Sequence, residues 1–173
     1  FVDDNLIGYS VESKTRAKYI FEGMIKRGLK KKWWIQTSIN AAEDEQIVEL
    51  AAKAGCMFVF IGFESISKNT LKDMKKEVNL KVGVDNYKQI VDSFHKHGIG
   101  VLGAFITGND YESPAYYKQL ANFLVSSSID VFQITMLTPL PGTKLMEKLI
   151  QENQLICQKF PQDWDKYRFS YMV

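Results

Sequence analysis

Five short groups of polar residues each follow an apolar stretch: Asp3-Asp4-Asn5, Gln36-Thr37-Ser38, Glu64-Ser65, Gly108-Asn109-Asp110 and the loop Leu137 to Thr143. Carboxylates, amides and hydroxyls in such places can bind a ligand's ammonium, hydroxyl or ring nitrogen groups, or serve as acids and bases. Asp4, Ser38 or Asp110 taken singly also suits a helix cap, because Asp and Ser are favoured there. Glu64 differs. Glutamate is a poor cap and costly to bury, so a carboxylate that ends the run Cys-Met-Phe-Val-Phe-Ile-Gly-Phe (56–63) points to a ligand hydroxyl or ammonium group.

Other chemistries lack their residues. Cys56 and Cys157 stand far apart with no CxxC or histidine-rich partner, so they cannot assemble a metal site alone. There is no Ser-His-Asp arrangement, nucleotide-binding glycine loop or paired-histidine motif. His95 and His97 read as residues of a helix end away from the polar exits, and Met57, Met74 and Met136 as core packing. The double proline in Leu137-Thr-Pro-Leu-Pro-Gly-Thr143 restricts the backbone to an extended loop, which suits either a rigid turn or the lining of an apolar pocket.

The elements that must position these groups are legible from periodicity. Cys56 to Phe63 reads as a strand covered on both faces, since a half-solvated strand would alternate. Phe1-Val2, Trp33 to Ser38, Gly100 to Thr107 and Ile129 to Met136 read as four more strands. Between them lie helices: about Ser13 to Arg27, a helix opening on Glu43-Asp44-Glu45, a short one capped by Ser67 or Asn69, about Asp85 to His97, and Pro114 to Ser126. Asn79 to Val84 reads as a loop, and a last helix spans Lys144 to Asn153. Strands alternating with helices require crossovers and therefore a mainly parallel sheet. The fold class is α/β, with 1–153 as the strand-and-helix unit and 154–173 as a tail carrying Trp164, Tyr167 and Tyr171. In parallel α/β folds ligands bind at the carboxyl ends of the strands, where the five polar groups fall.

Composition sets the remaining bounds. The 173 residues are 46% hydrophobic and 24% charged with a net charge of +2, ordinary for one globular domain and no mark of a nucleic-acid or membrane-surface partner. The run Lys30-Lys31-Lys32 follows a helix exit, where cations offset the helix dipole. No signal peptide and no membrane-length apolar run is present, so a cytoplasmic protein is expected. Because the chain opens as though at the end of a strand, it is expected to be a fragment of a longer protein, with a sheet edge at Phe1-Val2 exposed to self-association.

The exits FVDDN, WWIQTSIN, AGCMFVFIGFES, GIGVLGAFITGND and LTPLPGT, in that order, resemble the second to sixth strands of the radical S-adenosylmethionine (SAM) partial barrel. The likeness is to the group in which a cobalamin-binding domain often precedes the radical domain, and it covers the whole chain. It implies a partial TIM-like (β/α) barrel whose cofactors are SAM and a 4Fe-4S cluster, with cobalamin a further expectation. Asp3, Asp4 and Asn5 match the segment near the methionine amino group. Gln36 and Ser38 match residues facing the pocket, and Glu64 and Ser65 those near the ribose and carboxylate. Gly108 to Asp110 matches the glycine motif beside adenine, and Leu137 to Thr143, with Pro139, the sixth-strand loop.

The family's CxxxCxxC segment, which supplies three thiolates to the cluster, is not in this sequence. The resemblance therefore implies SAM-dependent radical chemistry on an unidentified substrate in a longer protein, and an inactive isolated chain. Two other readings remain: a metal-independent lyase or isomerase using Asp4, Glu64 and Asp110, and a binding module that shares only the barrel.

Overall fold

A computed structural model describes residues 1–169. Four strands, β1 (Trp33–Thr37), β2 (Cys56–Glu64), β3 (Gly100–Thr107) and β4 (Val131–Met136), form one parallel sheet in the order β1-β2-β3-β4. Each strand thus pairs with its next neighbour in the chain. Right-handed crossovers then place every connecting helix on the same side of the sheet, which is the arrangement of a barrel segment and not of a doubly wound sheet.

The helices are α1 (Val11–Lys26), α2 (Glu45–Lys53), α3 (Lys68–Asp73), α4 (Glu77–Val82), α5 (Tyr87–His95), α6 (Pro114–Ser126) and α7 (Lys144–Gln151). Local chemistry starts most of them. Ser10, Asp44, Ser67, Ser113 and Thr143 each accept a hydrogen bond from the amide three residues on, satisfying a donor that the first helical turn leaves free. Asp44 starts α2, and residues Ile39–Glu43 before it form a 3-10 turn.

The core lies between the helices and one face of the sheet. Ile35, Val59, Ile61, Phe63, Val101 and Phe105 are buried there with Phe21, Val48, Tyr87 and Phe94. Phe63 and Phe105 stack at 5.7 Å, and Phe123 of α6 meets Phe105 edge-on at 6.1 Å. The opposite face carries Trp34, Phe60, Leu102, Ala104 and Ile106, which are half-buried or exposed. Gly100 keeps that face passable, because a Cβ on it would come within 2.4 Å of the Phe58 ring.

Four expectations are corrected. Phe1-Val2 is not a strand: Val2 is 98% exposed, Phe1 packs edge-on against Trp33, and the segment meets β1 through the bond from Leu6 N to Gln36 O. Two residues are too few for a ladder, so the sheet has four strands and β1 is its edge on that side. β2 alternates in burial, because the inner face of the arc carries no second layer among the described residues. Met57, the extra residue where the pairing with β1 shifts register between Cys56 and Phe58, is 51% exposed and no part of the core. Residues 79–82 belong to α4, where Val78 and Val82 pack toward the core.

In the tail, Leu155, Cys157 and Tyr167 form a small separate core with Met146 of α7, and Tyr167 Oη donates to Cys157 O at 2.8 Å. Tyr171 lies outside the described residues. No described helix is long and apolar enough to cross a membrane.

Candidate functional site

The carboxyl ends of the strands carry two cavities. The larger, about 520 Å³, lies at the ends of β1 and β2 and is lined by Asp4, Asn5, Gln36, Thr37, Ser38, Phe60, Gly62 and Glu64, with Lys75 to Asn79 from the α3–α4 turn and α4. The smaller, about 190 Å³, lies at the ends of β3 and β4 and is lined by Gly108, Asn109, Asp110, Met136, Leu137 and Pro139, with Asp73, Lys148 and Ile156. Nine of the anticipated residues thus divide between two neighbouring hollows. Asp3 is exposed and lines neither, and Ser65 is fully buried behind the larger one.

In the larger cavity, Asn5 ties the N-terminal loop to β1. Its Nδ2 donates to Ser38 Oγ, and its Oδ1 accepts from the amides of Gly8 at 3.0 Å and Ser38 at 3.3 Å. Thr37 Oγ1 is buried with no hydrogen-bond partner, on the face of β1 that also carries Trp33 and Ile35 into the core.

Glu64 stands on a β-bulge. The register with β3 shifts between Gly62 and Glu64, and Glu64 has φ +68°. Lys76 Nζ meets Glu64 Oε1 at 2.7 Å, with the carboxylate side chain only 15% exposed. Asn79 Nδ2 donates to the carbonyls of Gly62 and Phe63 at 2.9 and 3.1 Å, and Tyr87 Oη donates to Phe63 O at 3.0 Å. Burial pushes the Tyr87 hydroxyl well up, so it stays a donor. Ser65 Oγ pairs with Tyr116 Oη at 2.9 Å and accepts from Ser67 N at 3.0 Å.

The smaller cavity has its own support. Glu112 accepts from Gly108 N at 2.8 Å, Asn109 Nδ2 at 2.9 Å and Tyr117 Oη at 3.0 Å, which fixes the turn after β3. Burial first, and the Glu112 carboxylate second, push the Tyr117 hydroxyl up. Asn109 is buried, yet its Oδ1 has no partner. The residue lines the cavity beside the apolar wall of Met136, Leu137 and Pro139.

Sequence reasoning missed Lys76, Asn79, Tyr87 and Glu112. Only Glu112 had a signal, the acidic residue four places beyond the Gly108 turn. Asp110 lies in a different cavity from Asp4 and Glu64, so the three carboxylates do not form one acid–base set. No group of three His, Cys, Asp or Glu among the described residues could hold a metal ion. Cys56 and Cys157 sit in separate cores, and burial pushes the Cys56 thiol up to about 12, the reverse of what a thiolate ligand requires.

No family model matches the chain. The bacteriochlorophyllide d C-12(1)-methyltransferase of Chlorobaculum tepidum is 34% identical over 176 aligned residues, covering 99% of this chain and 35% of that protein. The hopanoid C-2 methylase of Rhodopseudomonas palustris is 29% identical over 156 residues, covering 90% of this chain and 29% of that protein. The chain therefore spans about a third of the length of the curated relatives it matches. Among solved structures, the radical SAM methyltransferase TsrM of Kitasatospora setae, with cobalamin and a 4Fe-4S cluster bound, superposes with a TM-score of 0.73. It is 17% identical, covering 90% of this chain and 30% of that one. At that identity the superposition speaks to the fold, while the sequence relatives speak to descent. Together they show a chain with the fold of the radical SAM methyltransferase TsrM, related in sequence to bacterial methyltransferases.

Proposed function

We propose that this chain forms the SAM-holding rim of a cobalamin-dependent radical SAM methyltransferase, with the cluster's thiolates supplied by a CxxxCxxC segment outside these residues. The supporting observation is the gathering of Asp4, Asn5, Gln36, Ser38 and Glu64 around one cavity at the strand ends, in a chain that aligns along 99% of its length with a methyltransferase.

The residues present suit SAM. The larger cavity falls within the size range of small-ligand sites, roughly 300–1,000 Å³, and offers the Asp4 and Glu64 carboxylates to the methionine and ribose groups. The smaller offers the apolar wall of Met136, Leu137 and Pro139 to the adenine ring. They do not suit the cluster, since both thiols are buried apart, and no step is assigned to it here. Cobalamin rests on the likeness of fold to TsrM, whose structure holds it, and no residue of this chain binds it in this reading. SAM, once bound, supplies the methyl group or radical for the substrate. The chain binds it, orients it and screens it from water. The isolated chain is expected to be inactive.

The test is anaerobic reconstitution of the full-length protein with iron and sulfide, followed by equilibrium binding of SAM and its consumption under a reductant. The expected result is a bound cluster, SAM binding and SAM turnover, with the cluster and turnover lost when the upstream cysteines are replaced by alanine. A full-length protein that binds no SAM would contradict the proposal.

A further inference from the structure

The backbone at Glu64 is held in a conformation that a residue with a side chain rarely adopts, φ +68°. It persists only if its surroundings over-determine it. The register shows what the turn accomplishes. Gly62 pairs with Ala104, whose side lies on the open inner face, whereas Glu64 pairs with Phe105, whose side chain is buried among the helices. The extra residue, Phe63, therefore shifts position 64 toward the helix layer. The left-handed turn brings the carboxylate back to the cavity, where Gly62 leaves room for it.

A bulge takes carbonyls out of the ladder, and buried carbonyls need donors. Asn79 Nδ2 donates to Gly62 O and Phe63 O, and Tyr87 Oη joins it at Phe63 O, which also accepts from Ser65 N at 2.8 Å across the turn. The Tyr87 ring is locked edge-on against Phe63 at 4.9 Å. Asn79 lies about one helical turn beyond Lys76, so the start of α4 holds the bulge at two points, the Gly62 and Phe63 carbonyls and the Glu64 carboxylate.

We propose that Asn79 and Tyr87 are positioning residues that hold the bulge at residues 62–64 and so aim the Glu64 carboxylate at bound SAM. The inference rests on the reading of Glu64 as a SAM contact and adds the device that directs it.

The test is a double-mutant cycle on SAM affinity in the full-length, cluster-loaded protein, with thermal melts alongside. Tyr87→Phe keeps the buried ring and removes only the hydroxyl, so it preserves folding even if Asn79→Ala does not. Expected are a loss of about tenfold in SAM affinity for Glu64→Gln, about three- to tenfold for Tyr87→Phe, and no further loss when Tyr87→Phe is added to Glu64→Gln. A lower melting temperature for Tyr87→Phe with unchanged SAM affinity would overturn the positioning role, as would additive losses in the double variant. Unchanged affinity in Glu64→Gln would overturn the underlying contact instead, which separates the two failures.

Discussion

The carboxylate of Glu64 occupies the space that a side chain on Gly62 would need: a Cβ there would lie 2.7 Å from Glu64 Oε1. The obstructing atom ends a flexible side chain, so Gly62→Ala should fold and move the carboxylate. We expect a melting temperature within a few degrees of the parent, since about 1 kcal/mol shifts a domain of this size by roughly 2–4 °C. SAM affinity in the full-length protein should fall by on the order of tenfold, or ~1.4 kcal/mol. Calorimetric titration and a thermal melt separate the two effects.

Lys76 offsets the cost of that enclosed carboxylate. Lys76→Met should therefore destabilise the chain by about 1–2 kcal/mol in urea unfolding, because it leaves a partly buried charge without its partner. Adding Glu64→Gln should recover part of the loss. If the double variant is less stable than Lys76→Met alone, the ion pair is not the reason for the effect.

Asp44 sets the acid limit of the helix layer. It caps α2 through Ile47 N at 3.1 Å and pairs with Lys18 of α1 at 2.9 Å. Burial alone would raise its carboxyl, but the Lys18 and Ile47 bonds outweigh burial and hold it below the usual carboxylate range. A depressed native value means that the unfolded chain takes up the proton first. The contribution is thus fully present above the unfolded value near pH 4 and disappears as the pH falls through the native one. Asp44→Ala should cost about 1 kcal/mol at pH 7, and the difference from the parent should shrink as the pH falls below the unfolded value near pH 4. Urea melts across that range check both the size and the direction.

Much of this was legible in the chain. The exits of β2 and β3, the Ser113-Pro114 helix start and the isolation of Glu64 follow from burial, periodicity and capping, which are local. What was missed depends on contacts distant in sequence. Asn79 favours turns by its own propensity, yet it sits in α4 because Val78 and Val82 pack toward the core. Met57 carries no mark of exposure, since the register shift that makes it the extra residue belongs to the pairing with β1. The turn at Glu64 comes from a bulge that only the pairing with β3 reveals. The division of the polar exits between two cavities arises from the curvature of the sheet and has no sequence signature.

The central claim is that Glu64 contacts SAM, and the most direct measurement is the equilibrium dissociation constant of SAM for full-length, cluster-loaded protein with and without Glu64→Gln. About tenfold weaker binding, with iron content and melting temperature unchanged, is the expected result. Equal affinity in the two proteins would contradict it and leave Glu64 as a structural partner of Lys76.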